Sequence, residues 1–350
     1  MSTAFRSPQL YCDRRIGGAE NWYFYKPEDA DMQVPDQIRK CVVFLGYRLA
    51  DGGTKLAGTG FLVARPYQEG LEPSMGSVCP SFTYLLTAKH VLEGIQKQGI
   101  DEVLIRFNYR DGKARWVSSK IDDWQYHPTE SDTVDVALFN ASGFSTGPVS
   151  HDHGVFPIAG FVNPTLTQRE PIGIGDETFI VGLFASHHGN TKNIPIVRIG
   201  NIAAMPEEKV STSLGGIDAY LIEARSMGGL SGSPVFVNMG RMRTIDGELY
   251  LTKGTIYLLG LMHGHFDDKH QSINMGIGIV VPASKILEVI NQEAILKIEN
   301  ESREYHHKQD MPVMDSLPDS VDDFTEQDFE SDLRKATRRV APSEPDSRKK

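Results

Sequence analysis

From Ile38 to Pro282 the chain is a succession of short β-branched or aromatic runs: CVVFLGYRL, GTGFLVA, FTYLLTA, EVLIRFNY, DVALFNA, TFIVGLF, IPIVRIGNI, AYLIEA, SPVFV, IYLLGLM and GIGIVV. Clusters of Gly, Asn, Asp and Pro separate them. Runs of this length and residue type suit strands, and the clusters between them suit turns. Long 3.6-residue periodicity is missing between the runs, and with it the crossover helices that a parallel α/β sheet requires. The pattern predicts an all-β barrel or sandwich. After Pro282 it changes. Ile286, Leu287, Ile290, Ala294 and Ile298 fall near helical spacing through KILEVINQEAILKI, with Pro282 and Ser284 where a helix start is expected. One amphipathic helix is expected to close the fold.

The chain has 350 residues, 40% hydrophobic and 23% charged, the composition of an ordinary soluble globular protein. The expected division is an N-terminal extension packed on the body (1–37), a β-rich body (38–300) and a charged, disordered tail (301–350). Between Asp315 and Asp332 acids occur without a basic residue, and RKATRRV and RKK follow. Such blocks read as a solvated extension, or alternatively as a docking tail for a regulatory protein carried by Phe324 and Phe329. The aromatic cluster NWYFY reads as a segment packed on the body. A net charge of -10 without an extended Lys/Arg stripe argues against nucleic acid as the main ligand. No run approaches the roughly 18 apolar residues needed to cross a bilayer, and MSTAFRSPQLYCDRR lacks the apolar segment of a signal peptide. A cytoplasmic location, with no membrane partner, is expected. Cys12, Cys41 and Cys79 form no CxxC pair, so neither a disulfide framework nor a cysteine metal site is indicated. No cofactor or metal is expected.

GGLSGSPV, from Gly228 to Val235, boxes Ser231 between glycines and a proline. A turn accounts for glycine and proline without asking anything of the hydroxyl. A nucleophile reading asks more: Gly229 would let backbone N–H groups converge beside the serine, where an oxyanion would develop. A serine hydroxyl is a weak nucleophile at neutral pH and requires a base, which itself requires an orienting partner. Among 11 histidines, His90 stands out, because FTYLLTAKH ends a buried-looking strand and a helical turn, VLEGIQK, follows. Asp135, in DTVDVALF, reads as an acid embedded in a strand whose Val134, Val136 and Leu138 share one face. A carboxylate there loses hydration and needs a donor such as a histidine N–H. Asp132, in the polar TESDT loop, is its nearest rival.

LLTAKHV, DVALF and GLSGSP, in that order, resemble the histidine, aspartate and serine motifs of the chymotrypsin/trypsin-like serine peptidases, and the intervals between them are similar to that family's. GTGFLV resembles the strand preceding the histidine. YLLGLMHG resembles the cleft strand, and MGIGIVVPASKI the run into the closing helix of HtrA-type bacterial members, here without a PDZ domain. The resemblance covers roughly residues 38–298. It implies a double β-barrel with the site between the barrels, and a serine endopeptidase acting on protein or peptide substrates through an acyl-enzyme. His90 would be the base, Asp135 its orienting acid, Ser231 the nucleophile, and the N–H groups of Gly229 and Ser231 the oxyanion hole.

The chain also departs from that pattern. Leu230 stands where activated digestive members carry an aspartate, so RRIGGAE, though similar to their cleavage junction, has no charge to meet. The residue after the histidine, a cysteine in secreted relatives, is Val91. GLSGSP also resembles glutamyl-specific bacterial members. His263 or His265, with Arg225, would then bind an acidic substrate side chain. Two other readings stay open: a catalytically silent binding module, and a metal-dependent hydrolase suggested by HGHFDD at His263–Asp268. HDHG at His151 and SHHGN at His187 read as loops.

Overall fold

The computed structural model describes residues 34–67, 81–142, 151–224, 229–240, 242–245, 248–251, 255–268 and 273–310. The N-terminal segment through residue 33, the tail beyond residue 310 with Phe324 and Phe329, Cys12, Cys79 and Arg225 lie outside the described residues. Residues 1–299 form one unit and residues 300–350 a second, of which the last turns of a helix are described.

The apolar runs become strands. β1 (Val42–Arg48), β2 (Thr54–Pro66), β3 (Ser81–Thr87), β4 (Glu102–Asn108), β5 (Ala114–Lys120), β6 (Gln125–Tyr126), β7 (Ala137–Asn140) and β8 (Phe156–Pro157) make one eight-stranded sheet. Its order is β5-β4-β1-β2-β3-β7-β6, with β8 parallel to β2. β1 lies inside the sheet and is buried from Val42 to Tyr47 without alternation, as a strand covered on both faces must be. β5 is at the edge, half exposed and polar, and it is not among the apolar runs.

The second half contains β9 (Glu177–Gly182), β10 (Ile196–Ala204), β11 (Val210–Thr212), β12 (Gly215–Ile217), β13 (Tyr220–Glu223), β14 (Pro234–Asn238), β15 (Met242–Ile245), β16 (Glu248–Leu251), β17 (Ile256–Asp268) and β18 (Ile273–Pro282). Six of these close into an antiparallel barrel, β10-β13-β18-β17-β14-β9, which leaves no free edge. β11 pairs with β12 and β15 with β16 as separate two-stranded ladders. Two β units followed by C-terminal helices make an all-β fold. The ladder of the first unit stays open between β5 and β6.

The helices are α1 (Asp36–Lys40), α2 (Lys89–Gln96), α3 (Pro164–Arg169), α4 (Ala283–Ile290) and α5 (Glu293–Asp310). The expected single closing helix is therefore two. Asn291 ends α4, and its side-chain oxygen accepts from Arg65 Nη2 at 2.5 Å, a tertiary bond that compensates for leaving the helix. Within α5, the buried Glu299 accepts from the Tyr84 hydroxyl and from Arg65 Nη1 at 3.2 Å, which fastens the first turns of the helix, up to Glu299, to β2 and β3.

The two β units share a core. Phe156 of β8 meets Phe236 of β14 edge to face at 5.0 Å between ring centroids, and Phe236 stacks on Phe179 of β9 at 5.2 Å. All three rings are fully buried in one cluster with Phe44, Phe61 and Leu85 of the first sheet. This aromatic joint sets how residues carried by one unit meet residues carried by the other. Phe236→Ala is expected to lower stability by about 3–5 kcal/mol, the typical cost of truncating a buried phenylalanine. The loss would be read as a fall in the urea midpoint at unchanged slope; a loss below about 1 kcal/mol would contradict a tightly packed joint.

Candidate active site

Strand pairing brings the first two sequence-selected residues together. Thr87, the last residue of β3, pairs with Ala137, the first of β7, so the segments flanking that rung, Ala88–His90 and Val134–Val136, lie side by side. His90 is the second residue of α2. Asp135 lies in the irregular segment just before β7, not inside a strand as its apolar neighbours suggested. Val134 and Val136 are buried there, and the Val136 N–H bonds the Val134 carbonyl, which turns the chain before pairing begins.

The Asp135 side chain is 1% exposed. Its Oδ1 accepts the backbone N–H of His90 at 2.8 Å, capping a helix whose preceding residue, Ala88, has no side-chain cap to offer. Its Oδ2 lies 2.6 Å from His90 Nδ1 and 2.5 Å from His263 Nδ1. Burial works against the charge of this carboxylate, but the hydrogen bonds from His263 and His90 outweigh it and hold Asp135 well below the usual carboxylate range. For His90, burial acts to lower the pKa. The hydrogen bond and charge of Asp135 outweigh it, and His90 sits above the ordinary imidazole value. A carboxylate only accepts, so His90 carries its proton at Nδ1 and turns a lone pair outward at Nε2.

Ser231 lies in the turn before β14. Gly229 has φ 101° and Gly232 φ 79°, both left-handed conformations that favour glycine. The turn is held from β2 by Thr59, a fully buried residue. Thr59 N–H donates to the Ser231 carbonyl at 3.0 Å, and its hydroxyl donates to the Gly229 carbonyl at 2.8 Å while accepting Leu183 N–H at 2.9 Å. Its own carbonyl accepts the Thr87 hydroxyl at 2.7 Å. One residue of GTGFLV thus ties the serine turn to the strand end that presents His90. Its small polar side chain in an apolar run is the signal that could have singled it out. Gly232 N–H bonds the Met262 carbonyl at 2.8 Å, fixing the turn to β17. Leu230, in place of an acid, is buried in the barrel core. With its carbonyls bound behind it, the turn leaves the N–H groups of Gly229 and Ser231 without a hydrogen-bond acceptor among the described residues.

The Ser231 hydroxyl donates to the His263 carbonyl at 3.5 Å, the limit for such a bond, and no hydrogen bond joins it to His90 among the described residues. The His90 and His263 rings meet edge to face at 5.5 Å. His263 therefore borders both the His90–Asp135 pair and the serine. The sequence expectation placed His263 or His265, with Arg225, against an acidic substrate side chain. Its Nδ1 instead faces Asp135, because an ionised carboxylate at 1% exposure is the stronger claim on a nearby N–H donor. His265 is partly buried on β17 opposite Gly278, and Arg225 lies outside the described residues.

His90, Asp135 and His263 each offer a possible metal-ligand atom, all within 4.8 Å of one another. Zinc bonds of roughly 2.0–2.1 Å would hold tetrahedral ligands about 3.3 Å apart, whereas the separations at Asp135 Oδ2 are 2.5 and 2.6 Å. These are hydrogen-bond separations. The HGHFDD motif gains no support as a metal-hydrolase signature, since its first histidine is turned to Asp135.

No protein-family model matches the chain, and a search among curated proteins found no match. Among solved structures, the MamO protease domain of Magnetospirillum magneticum (apo form) matches 73% of this chain and 98% of its own at 15% identity, with a TM-score of 0.43. Rv3671c of M. tuberculosis H37Rv, in an inactive form, matches 72% of this chain and 87% of its own at 17% identity and TM-score 0.37. The Drosophila Grass clip serine protease of the Toll pathway matches 81% and 76% at 13% identity and TM-score 0.43. With TM-scores this low, what the site can do rests on its own geometry.

A Cβ at Gly232 would fall 2.3 Å from the Thr59 carbonyl and 2.4 Å from the Thr87 hydroxyl, whereas at Gly112, also at φ 79°, it would meet nothing within 4 Å. Gly112→Ala is expected to cost about 1–2 kcal/mol from the backbone alone. Gly232→Ala, in the same urea titration, is expected to cost clearly more and to displace the serine turn. Equal costs would show that the Thr59 lattice yields freely.

Proposed function

We propose that this chain is a serine endopeptidase that hydrolyses peptide bonds through an acyl-enzyme. The observation that carries the reading is the convergence of an Nδ1-anchored imidazole, a buried carboxylate and a glycine-framed serine in one seam between the two β units. His90 Nε2 takes the Ser231 proton as the hydroxyl oxygen attacks the substrate carbonyl, and later delivers it to the leaving amine. Asp135 fixes the tautomer and stabilises the imidazolium. The N–H groups of Gly229 and Ser231 receive the tetrahedral oxyanion. The bond from serine to base closes when substrate binds, as catalytic hydrogen bonds often tighten only in the loaded enzyme.

A second reading, a silent binding module, draws on one observation: Ser231 makes its weak bond to the His263 carbonyl and none to His90. Covalent labelling separates the two, because only an activated serine attacks a fluorophosphonate. The wild type is expected to label at Ser231 and to cleave unfolded casein. Ser231→Ala is expected to abolish labelling and lower turnover by about ten-thousand-fold or more. A folded wild type that neither labels nor cleaves would instead favour the binding module or a missing activator.

The pH dependence has a definite sign. Catalysis needs His90 neutral, and its pKa is raised. kcat/KM should therefore be low in acid and climb with a midpoint above the ordinary imidazole value of about 6.5. A midpoint below that value, measured under subsaturating substrate, would contradict the pairing with an ionised Asp135.

The proposed compartment is the cytoplasm, where Cys41, a buried free thiol, would stay reduced. No helix among the described residues is long and apolar enough to cross a membrane. An acidic cleavage preference would draw on His265 and Arg225. The substrate class proposed is protein or peptide.

A further inference from the structure

In the β17–β18 ladder Met262 pairs with Val280 and Gly264 with Ile279, so His263 is an extra residue with no partner in that ladder. A bulge of this kind re-aims the side chain it carries. Here it turns an imidazole, 12% exposed, onto Asp135, while the carbonyl of the same residue accepts from Ser231. His90 comes from the first β unit and His263 from the second, and both donate from Nδ1 to a single oxygen, Asp135 Oδ2, at 2.6 and 2.5 Å.

We propose that His263 is a positioning residue of the active site that limits the basicity of His90 by sharing its carboxylate, an inference that rests on the serine-peptidase reading. Asp135 favours the protonated form of His90 through its charge and its hydrogen bond. Each further N–H that stabilises the same anion lessens what the carboxylate can offer the first imidazole. His263 thus offsets part of the upward push on His90, and more of the base remains neutral near pH 7. It also locks the carboxylate: Oδ1 is bound by the His90 backbone and Oδ2 by two rings approaching from different strands. The other charged groups facing His90, Glu93 and Lys97, both lie on or beside α2, act with opposite signs, and are unchanged by substitution at position 263.

The test compares His263→Leu, which removes the donor, with His263→Asn, whose amide N–H can occupy the place of Nδ1. The primary readout is the His90 titration followed by NMR on the full chain carrying labelled histidine, which needs no turnover. His263→Leu is expected to move the His90 midpoint upward by roughly 0.5–1 pH unit, and His263→Asn to leave it near that of the wild type. Two low-field imidazole N–H signals are expected in the wild type and one in either variant. The acid limb of kcat/KM should follow the His90 midpoint, with kcat at pH 7 falling several-fold and KM little changed. A purely structural role would lower activity in both variants without moving the titration. An unmoved midpoint in His263→Leu, or an equal shift in both variants, overturns the proposal, and should the leucine variant fail to fold, a single low-field signal in the wild type overturns it as well. Failure of the peptidase reading shows separately, as a wild type whose Ser231 does not react with fluorophosphonate.

Discussion

An ionised carboxylate removed from water must be met by donors, and the seam between the two β units is built around that demand. Asp135 loses nearly all its hydration, a cost of several kcal/mol for an unpaired ion. Donors from α2, from the His90 ring and from β17 replace the water. The consequences run outward. A helix receives its cap, an imidazole is held in one tautomer, and a strand of the second unit is drawn onto a residue of the first. Removing the charge would leave each of these without its anchor.

Thr59 performs the complementary task with neutral groups. It links the Ser231 turn, the end of β3 and the chain after β9 through main-chain and hydroxyl bonds made by a fully buried residue. Together with the Phe156–Phe236–Phe179 joint, it makes the relative placement of histidine and serine a property of the core rather than of a surface loop. Side chains that must meet across two β units need accurate placement, and rigid elements supply it better than loops do.

Much of this was legible in the residues. The apolar runs marked the core strands because burial on one or both faces leaves a compositional trace, and edge strand β5 escaped notice because it is only half buried. His90, Asp135 and Ser231 were legible as motifs, each in its own short segment. Asp135 was misplaced by two residues, because flanking valines look alike in a strand and in the buried segment that precedes one. The break at Asn291 was hidden, since the apolar spacing runs through it and the compensating bond comes from Arg65, distant in sequence. The orientation of His263 was out of reach for a related reason: a bulge exists only relative to the partner strand, and nothing within YLLGLMHG records where the ladder slips.

Leu230 has a consequence for how the serine turn comes into being. Its side chain sits inside the barrel, and the neighbouring bonds run between uncharged groups, so no ion pair has to form for the turn to take shape. Salt and protons, which loosen exposed charge pairs, have little to act upon there. The turn matures with the barrel, as part of folding itself.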